Sequence, residues 1–143
     1  MKILVINGPN LNMLGVREPA IYGRRTYADL VEYIQAAASQ LAVEAEVRQS
    51  NHEGVIVDWI QQSLGDFDGI VINPAAYTHT SVAILDALKA VKPVPAVEVH
   101  LSDVNAREDF RRRSYAGMAC EMTYAGYGFE GYLKALQFLA NRH

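Results

Sequence analysis

Lys2-Ile3-Leu4-Val5-Ile6-Asn7 runs directly into Gly8-Pro9-Asn10-Leu11-Asn12-Met13-Leu14-Gly15-Val16-Arg17-Glu18-Pro19-Ala20-Ile21-Tyr22-Gly23. The first stretch is a short apolar run and reads as a buried strand. The second keeps no apolar period. Pro9 and Pro19 restrict φ, while Gly8, Gly15 and Gly23 release it. A loop of this length in a compact domain is usually a lid, a binding loop or a disordered segment. Its side chains favour a lid over about residues 10–25: Asn10 and Asn12 both donate and accept hydrogen bonds, Arg17 carries a permanent charge, and Tyr22 adds a phenol five residues further on.

Working outward, strands and helices alternate. Thr26, with Asp29 three residues on, predicts a nearly complete capping box and a helix through about Leu41, apolar at Leu30, Ile34, Ala37, Ala38 and Leu41. Val43 to Gln49 alternates apolar and polar residues, as a half-buried strand does. A helix follows Gly54, with Val55, Ile56, Trp59, Ile60 and Leu64 on one side, and Gly69-Ile70-Val71-Ile72-Asn73 reads as a fully buried strand. Thr78 to Val91 is expected to be a helix, Pro93 to His100 a fourth strand, and Glu108 to Arg113 a short helix. Met118 to Thr123 is expected as a fifth strand and Phe129 to Arg142 as the closing helix. Five strands so spaced predict an α/β doubly wound fold: a parallel sheet with helices on both faces. In the flavodoxin-like order 2-1-3-4-5, ligands bind beyond the carboxyl ends of the strands, where the winding reverses between strands one and three.

The totals narrow the function. A chain of 143 residues, half hydrophobic and one-fifth charged, fits one soluble domain, here residues 1–143. A net charge of −3 gives no footprint for nucleic acid, and Arg111-Arg112-Arg113 is the one basic run. Cys120 is the single cysteine, so neither a disulfide framework nor a thiolate metal site is expected. With no signal peptide and no apolar run of membrane-spanning length, a cytoplasmic protein without membrane contact is expected.

The polar residues collect at one edge. Strand one ends in Asn7 and delivers Asn10, Asn12, Arg17 and Tyr22. Strand three ends in Asn73, with His79 beyond it. Strand four ends in Glu98-Val99-His100, followed by Leu101 and Ser102. Glu98 and His100 point to the same side of that strand, where the carboxylate can hold the imidazole by a hydrogen bond. This set suits a small, polyhydroxylated anion. A metal is disfavoured, because two histidines lack a matched carboxylate pair. No G-x-G-x-x-G or G-K-[ST] follows strand one, which argues against a nucleotide or flavin. No lysine stands at a strand end to form a Schiff base.

Gly8-Pro9-Asn10-Leu11-Asn12, Gly15 to Pro19, Tyr22-Gly23, Gln49-Ser50-Asn51, Glu53-Gly54, Asn73-Pro74, Tyr77 to Ser81, Glu98 to Ser102 and Arg107 to Arg111 resemble the type II 3-dehydroquinate dehydratases over nearly the whole chain. The resemblance implies that 3-dehydroquinate loses water to give 3-dehydroshikimate through an enolate, with no metal or organic cofactor, in the shikimate pathway or in quinate breakdown. It implies Tyr22 as the base, His100 as the acid, Arg17 as the lid arginine beside the tyrosine, and Asn12 as an enolate-stabilising group acting through a water. Asn73, His79, Leu101, Ser102 and Arg111 match substrate ligands. Asp86 matches a contact from a neighbouring subunit in a homo-oligomer, a dodecamer of trimers. Asp86 follows His79 by two helical turns on the expected helix, far to reach back into its own crevice but convenient for a neighbour's; the alternative is a solvated helix carboxylate. Asn10 and Glu98 are supporting residues. The alternatives are a non-catalytic flavodoxin-like protein that binds a small carboxylate and a flavodoxin-like redox or signalling protein.

Overall fold

The computed structural model describes residues 1–16, 20, 24–103 and 108–142. Arg17 and Tyr22 lie outside the described residues, and the expected lid at 10–25 falls only partly within them.

Strands β1 (Lys2–Asn7), β2 (Glu44–Gln49), β3 (Gly69–Asn73), β4 (Ala96–His100) and β5 (Met122–Ala125) form one five-stranded sheet. The order is β2-β1-β3-β4-β5 and every pairing is parallel, as the alternating pattern predicts. Helices α1 (Tyr27–Gln40), α2 (Glu53–Gln62), α3 (Val82–Ala90) and α4 (Glu130–Asn141) cover it. Successive strand residues face opposite sides. Ile3, Val5, Val71, Val97 and Val99 therefore pack against Leu30 and Ile34 of α1 and Leu136 and Leu139 of α4. Leu4, Ile6, Ile70 and Ile72 meet Ile56 and Ile60 of α2 and Ile84 and Leu88 of α3. All of these side chains are at most 1% exposed, which is how a sheet buried on both faces comes to read as unbroken apolar runs.

The start of α1 is the expected capping box. The Asp29 N–H donates to Thr26 Oγ1 at 3.2 Å, and the Thr26 N–H donates to Asp29 Oδ2 at 2.9 Å.

Several expected bounds change. Thr78 to Val91 is not one helix. Residues Ala75–His79 form a 3₁₀ turn, and α3 begins only after Ser81, whose Oγ accepts from the Ile84 N–H at 2.9 Å. His79 and Asp86 therefore do not share a helix. β4 starts at Ala96 because Pro93 and Pro95 have no N–H to give a ladder. The fifth strand is Met122–Ala125; Ala116–Ala119 is a 3₁₀ turn whose first and last residues are buried against the α2/α3 side. Leu64 lies beyond α2 and is 56% exposed. The short helix after Glu108 is a 3₁₀ turn, Asp109–Arg112.

Gly8 prolongs the β1–β3 pairing one step past the strands, its N–H donating to the Asn73 carbonyl at 2.8 Å. A Cβ there would stand 2.6 Å from the Pro74 carbonyl oxygen. Gly8→Ala must part the two strand ends that flank the crevice, and should cost about 1–3 kcal/mol. Urea unfolding of the variant checks this, with an unchanged midpoint counting against it.

Candidate active site

The parallel register brings three carboxyl ends to one edge, Asn7 opposite Asn73 and Ile72 opposite Glu98. A crevice opens there. Pro9, Asn10, Leu11, Met13 and Leu14 line it from the segment after β1, and Asn73, Ala75, Ala76 and His79 from the end of β3 and its turn. His100, Leu101 and Ser102 line it from β4, and Arg111 closes one side.

On the α2/α3 side lies a buried, hydrogen-bonded carboxylate–imidazole pair. Glu98 is 1% and His100 5% exposed. His100 Nε2 stands 3.0 Å from Glu98 Oε1. The other carboxylate oxygen, Oε2, accepts from Ser114 Oγ at 2.6 Å and Thr78 Oγ1 at 3.1 Å. Burial alone would raise the Glu98 carboxyl, but the hydrogen bond and positive charge of His100, with the Ser114 and Thr78 hydroxyls, hold it below its ordinary value. A Glu98 carboxylate fixes its partner nitrogen as Nε2–H, so the other ring nitrogen of His100 is the one left for chemistry.

His79 is fixed from the opposite direction. Its Nδ1 lies 2.7 Å from the Arg113 carbonyl and must donate to it. Its pKa is lowered, chiefly by burial. The Arg113 carbonyl opposes this, and the positive charges of His100 and Arg111 add to it. The neutral ring so favoured offers Nε2 as an acceptor, suited to a ligand hydroxyl. Arg111 Nε donates to Glu108 Oε2 at 2.6 Å while its side chain borders the crevice.

On the α1/α4 side, Asn7 and Asn73 are joined through Tyr132 of α4. The Tyr132 hydroxyl donates to Asn7 Oδ1 at 2.6 Å and accepts from Asn73 Nδ2 at 3.0 Å. Asn73 Oδ1 accepts the Ala75 N–H at 3.1 Å.

The crevice thus gathers Asn10, Asn73, His79, His100, Leu101, Ser102 and Arg111, with Glu98 directly behind His100. Asn12 is not among its lining residues; it is exposed, and its Oδ1 accepts from Gln49 Nε2 at 3.3 Å. Asn10, also exposed and held at φ 71°, does border the crevice. Asp86 is exposed on α3 and does not line this crevice. Ser114, Thr78 and Tyr132 went unnoticed in the sequence. Their hydroxyls carry no local pattern, and only the fold sets them against Glu98, Asn7 and Asn73. Among the described residues, no three His, Cys, Asp or Glu side chains group as metal ligands, and no helix is long and apolar enough to cross a membrane.

A doubly wound parallel sheet with a polar crevice at its switch point defines a small-molecule α/β protein. The family described as dehydroquinase class II matches residues 1–140. A 3-dehydroquinate dehydratase of Clostridium acetobutylicum is 50% identical over 141 residues, covering 99% of this chain and 97% of that one. A catabolic 3-dehydroquinase of Verticillium alfalfae is 54% identical over 142 residues, covering 99% and 93%. The crystal structure of a type II dehydroquinase from Butyrivibrio crossotus superposes with a TM-score of 0.95 at 51% identity, over 97% of each chain. The chain belongs to the class II dehydroquinase family.

Glu98 makes the site sensitive to acid. Because its folded-state pKa is depressed, its stabilisation is complete above the unfolded-state value, about 4.3, and is lost as pH falls through the lower folded-state value. Glu98→Gln should lose that part of the acid dependence and be less stable at neutral pH by about 1–3 kcal/mol. Urea midpoints measured across the acid range check both; parallel curves for the two proteins would contradict the assignment.

Proposed function

We propose that the protein catalyses the elimination of water from 3-dehydroquinate to give 3-dehydroshikimate. The observation that carries this is His100, held by a buried carboxylate in a crevice whose other polar groups suit a polyhydroxylated anion. The reaction removes a proton α to a ketone, passes through an enolate and expels a hydroxyl. Tyr22 takes the proton. An ordinary phenol, with a pKa of about 10, must be shifted to do so, and the Arg17 charge is assigned to favouring the phenolate, as the family resemblance implies. The loop that carries both is the lid, and shutting out water strengthens that attraction.

Charge growing on the ketone oxygen is met by an amide donor. The family resemblance gives this part to Asn12, acting through a water, with Asn10 bordering the crevice as a supporting residue. His100 protonates the leaving hydroxyl, while Glu98 keeps the ring oriented and supports its positive charge. Arg111 and the backbone at Leu101 and Ser102 receive the substrate's anionic and hydroxyl groups, and His79 accepts from a hydroxyl. Each proton is assigned to a side chain, so the scheme calls on no cofactor.

Incubation with 3-dehydroquinate should produce the ultraviolet absorbance of the conjugated product. Tyr22→Phe should lower kcat by about a thousandfold while the product still binds. Binding without turnover by the unaltered protein would favour a non-catalytic carboxylate binder, and full activity in Tyr22→Phe would sink the mechanism.

The active form is proposed to be an oligomer of trimers assembled into a dodecamer. Phe110, Met118, Met122 and Tyr127 are 40–64% exposed in the isolated chain, apolar surface suited to burial between subunits. Asp86 faces away from its own crevice and is assigned to a neighbour's. When Tyr22→Phe and Asp86→Ala proteins are co-refolded in equal amounts, about a quarter of the sites should regain both original groups. Activity no higher than the mean of the two variants, in mixtures shown by mass spectrometry to have exchanged subunits, would reject the shared site.

A further inference from the structure

We infer that Tyr132 is a positioning residue for this site: its buried hydroxyl fixes the Asn73 amide so that an Nδ2 proton is presented to the substrate. The inference rests on the reading of Asn73 as a substrate ligand.

One group in this network has a hydrogen-bonding role that cannot change. A backbone N–H only donates, and the Ala75 N–H meets the Asn73 side chain at 3.1 Å. The atom facing it is therefore the carbonyl oxygen, and the amide nitrogen lies at the other end. That nitrogen stands 3.0 Å from the Tyr132 hydroxyl and donates to it. Tyr132 has a single hydroxyl proton. With its oxygen accepting from Asn73, the proton goes to Asn7 Oδ1 at 2.6 Å. The remaining end of Asn7, Nδ2, then donates to the Tyr27 hydroxyl at 3.4 Å. One backbone donor thus sets the direction of the whole chain of bonds. Ala75 itself is held at φ 52°, a left-handed conformation that alanine rarely adopts, so this donor is built in at some cost.

The chain is sealed. Tyr132 and Asn7 are 0% exposed and Asn73 2%, so water cannot replace a lost partner. Burial pushes the Tyr132 phenol up, against the hydrogen bond from Asn73, so it keeps its proton through the working range. Of the two Asn73 Nδ2 protons, Tyr132 takes one. The second serves the crevice that Asn73 lines, and it suits an acceptor oxygen, carboxylate or carbonyl. Were the amide to turn over, it would set its own oxygen against that acceptor.

Tyr132→Phe removes the hydroxyl and keeps the ring. Freed from its acceptor, the Asn73 amide loses its fixed orientation. KM for 3-dehydroquinate should rise about tenfold, with kcat within about twofold. In an Asn73→Ala background the same substitution should change KM by less than about twofold, because it acts through Asn73. A merely structural loss would raise KM by the same factor in both backgrounds; that outcome, or an unchanged KM in the first background, overturns the inference. Should Tyr132→Phe fail to fold, Asn7→Ala breaks the chain one link away. It should raise KM about threefold, again only while Asn73 is present, and an equal rise without Asn73 overturns the inference equally. An unaltered protein with no activity on 3-dehydroquinate would fell the functional reading itself. Full activity with equal KM factors would fell only the role of Tyr132.

Discussion

A carboxylate inside a protein must be paired or it will not stay ionised. Glu98 meets that demand with donors from three parts of the chain: His100 on its own strand, Thr78 in the turn after β3, and Ser114 beyond the basic run. The same three segments supply His100, His79 and Arg111 to one side of the crevice. Two further bonds tie them together, from the Tyr115 N–H to the Thr78 carbonyl at 2.7 Å and from His79 to the Arg113 carbonyl. The knot is tight enough to require glycine at 117, where a Cβ would come within 2.9 Å of Ser114 Oγ. Satisfying one charge thus sets the spacing of His100, His79 and Arg111.

The sheet divides the polar work between its two faces. Asn7 and Asn73 follow Val5 and Val71 onto the α1/α4 side, whereas Glu98 and His100 follow Ala96 onto the other. Two hydrogen-bonded networks therefore flank one crevice, separated by the apolar body of the sheet. The crevice can then meet a ligand on both sides with groups that do not compete for the same partners. The buried polar side chains achieve this without orphaning an atom among the described residues.

Much of this was legible in the sequence, for reasons that differ between elements. Ile3 to Ile6 and Gly69 to Ile72 announce doubly covered strands because both faces must be apolar, and the alternation of such runs with helices dictates the parallel order. The convergence of Asn10, Asn73, His79 and His100 follows from that order alone. Boundaries set by tertiary contacts were not legible. Met118 and Ala119 read as the start of the fifth strand, but they belong to a 3₁₀ turn whose Ala116 and Ala119 both pack inward, and the strand begins only at Met122. Thr78 looks like the start of a helix, but its hydroxyl is taken by Glu98 and Ser114, and Ser81 caps α3 instead. Nor does the spacing of Asn10 and Asn12 reveal that Asn10 lines the crevice while Asn12 bonds Gln49.

Gly15 sits at φ 86°, where a Cβ would lie 2.9 Å from the Arg24 carbonyl oxygen and 3.4 Å from the Thr26 methyl. The two ends of the segment that contains Arg17 and Tyr22 are therefore in contact with each other, and the far end is anchored by the capping box of α1. Any chain whose two ends are fixed side by side counts as a closed loop. The entropic cost of closing a ring grows only with the logarithm of its length, about 0.6 kcal/mol for each doubling. Lengthening or shortening this segment would thus leave the sheet and its helices nearly untouched. The framework and the segment inserted at this point can consequently change at different rates over evolutionary time.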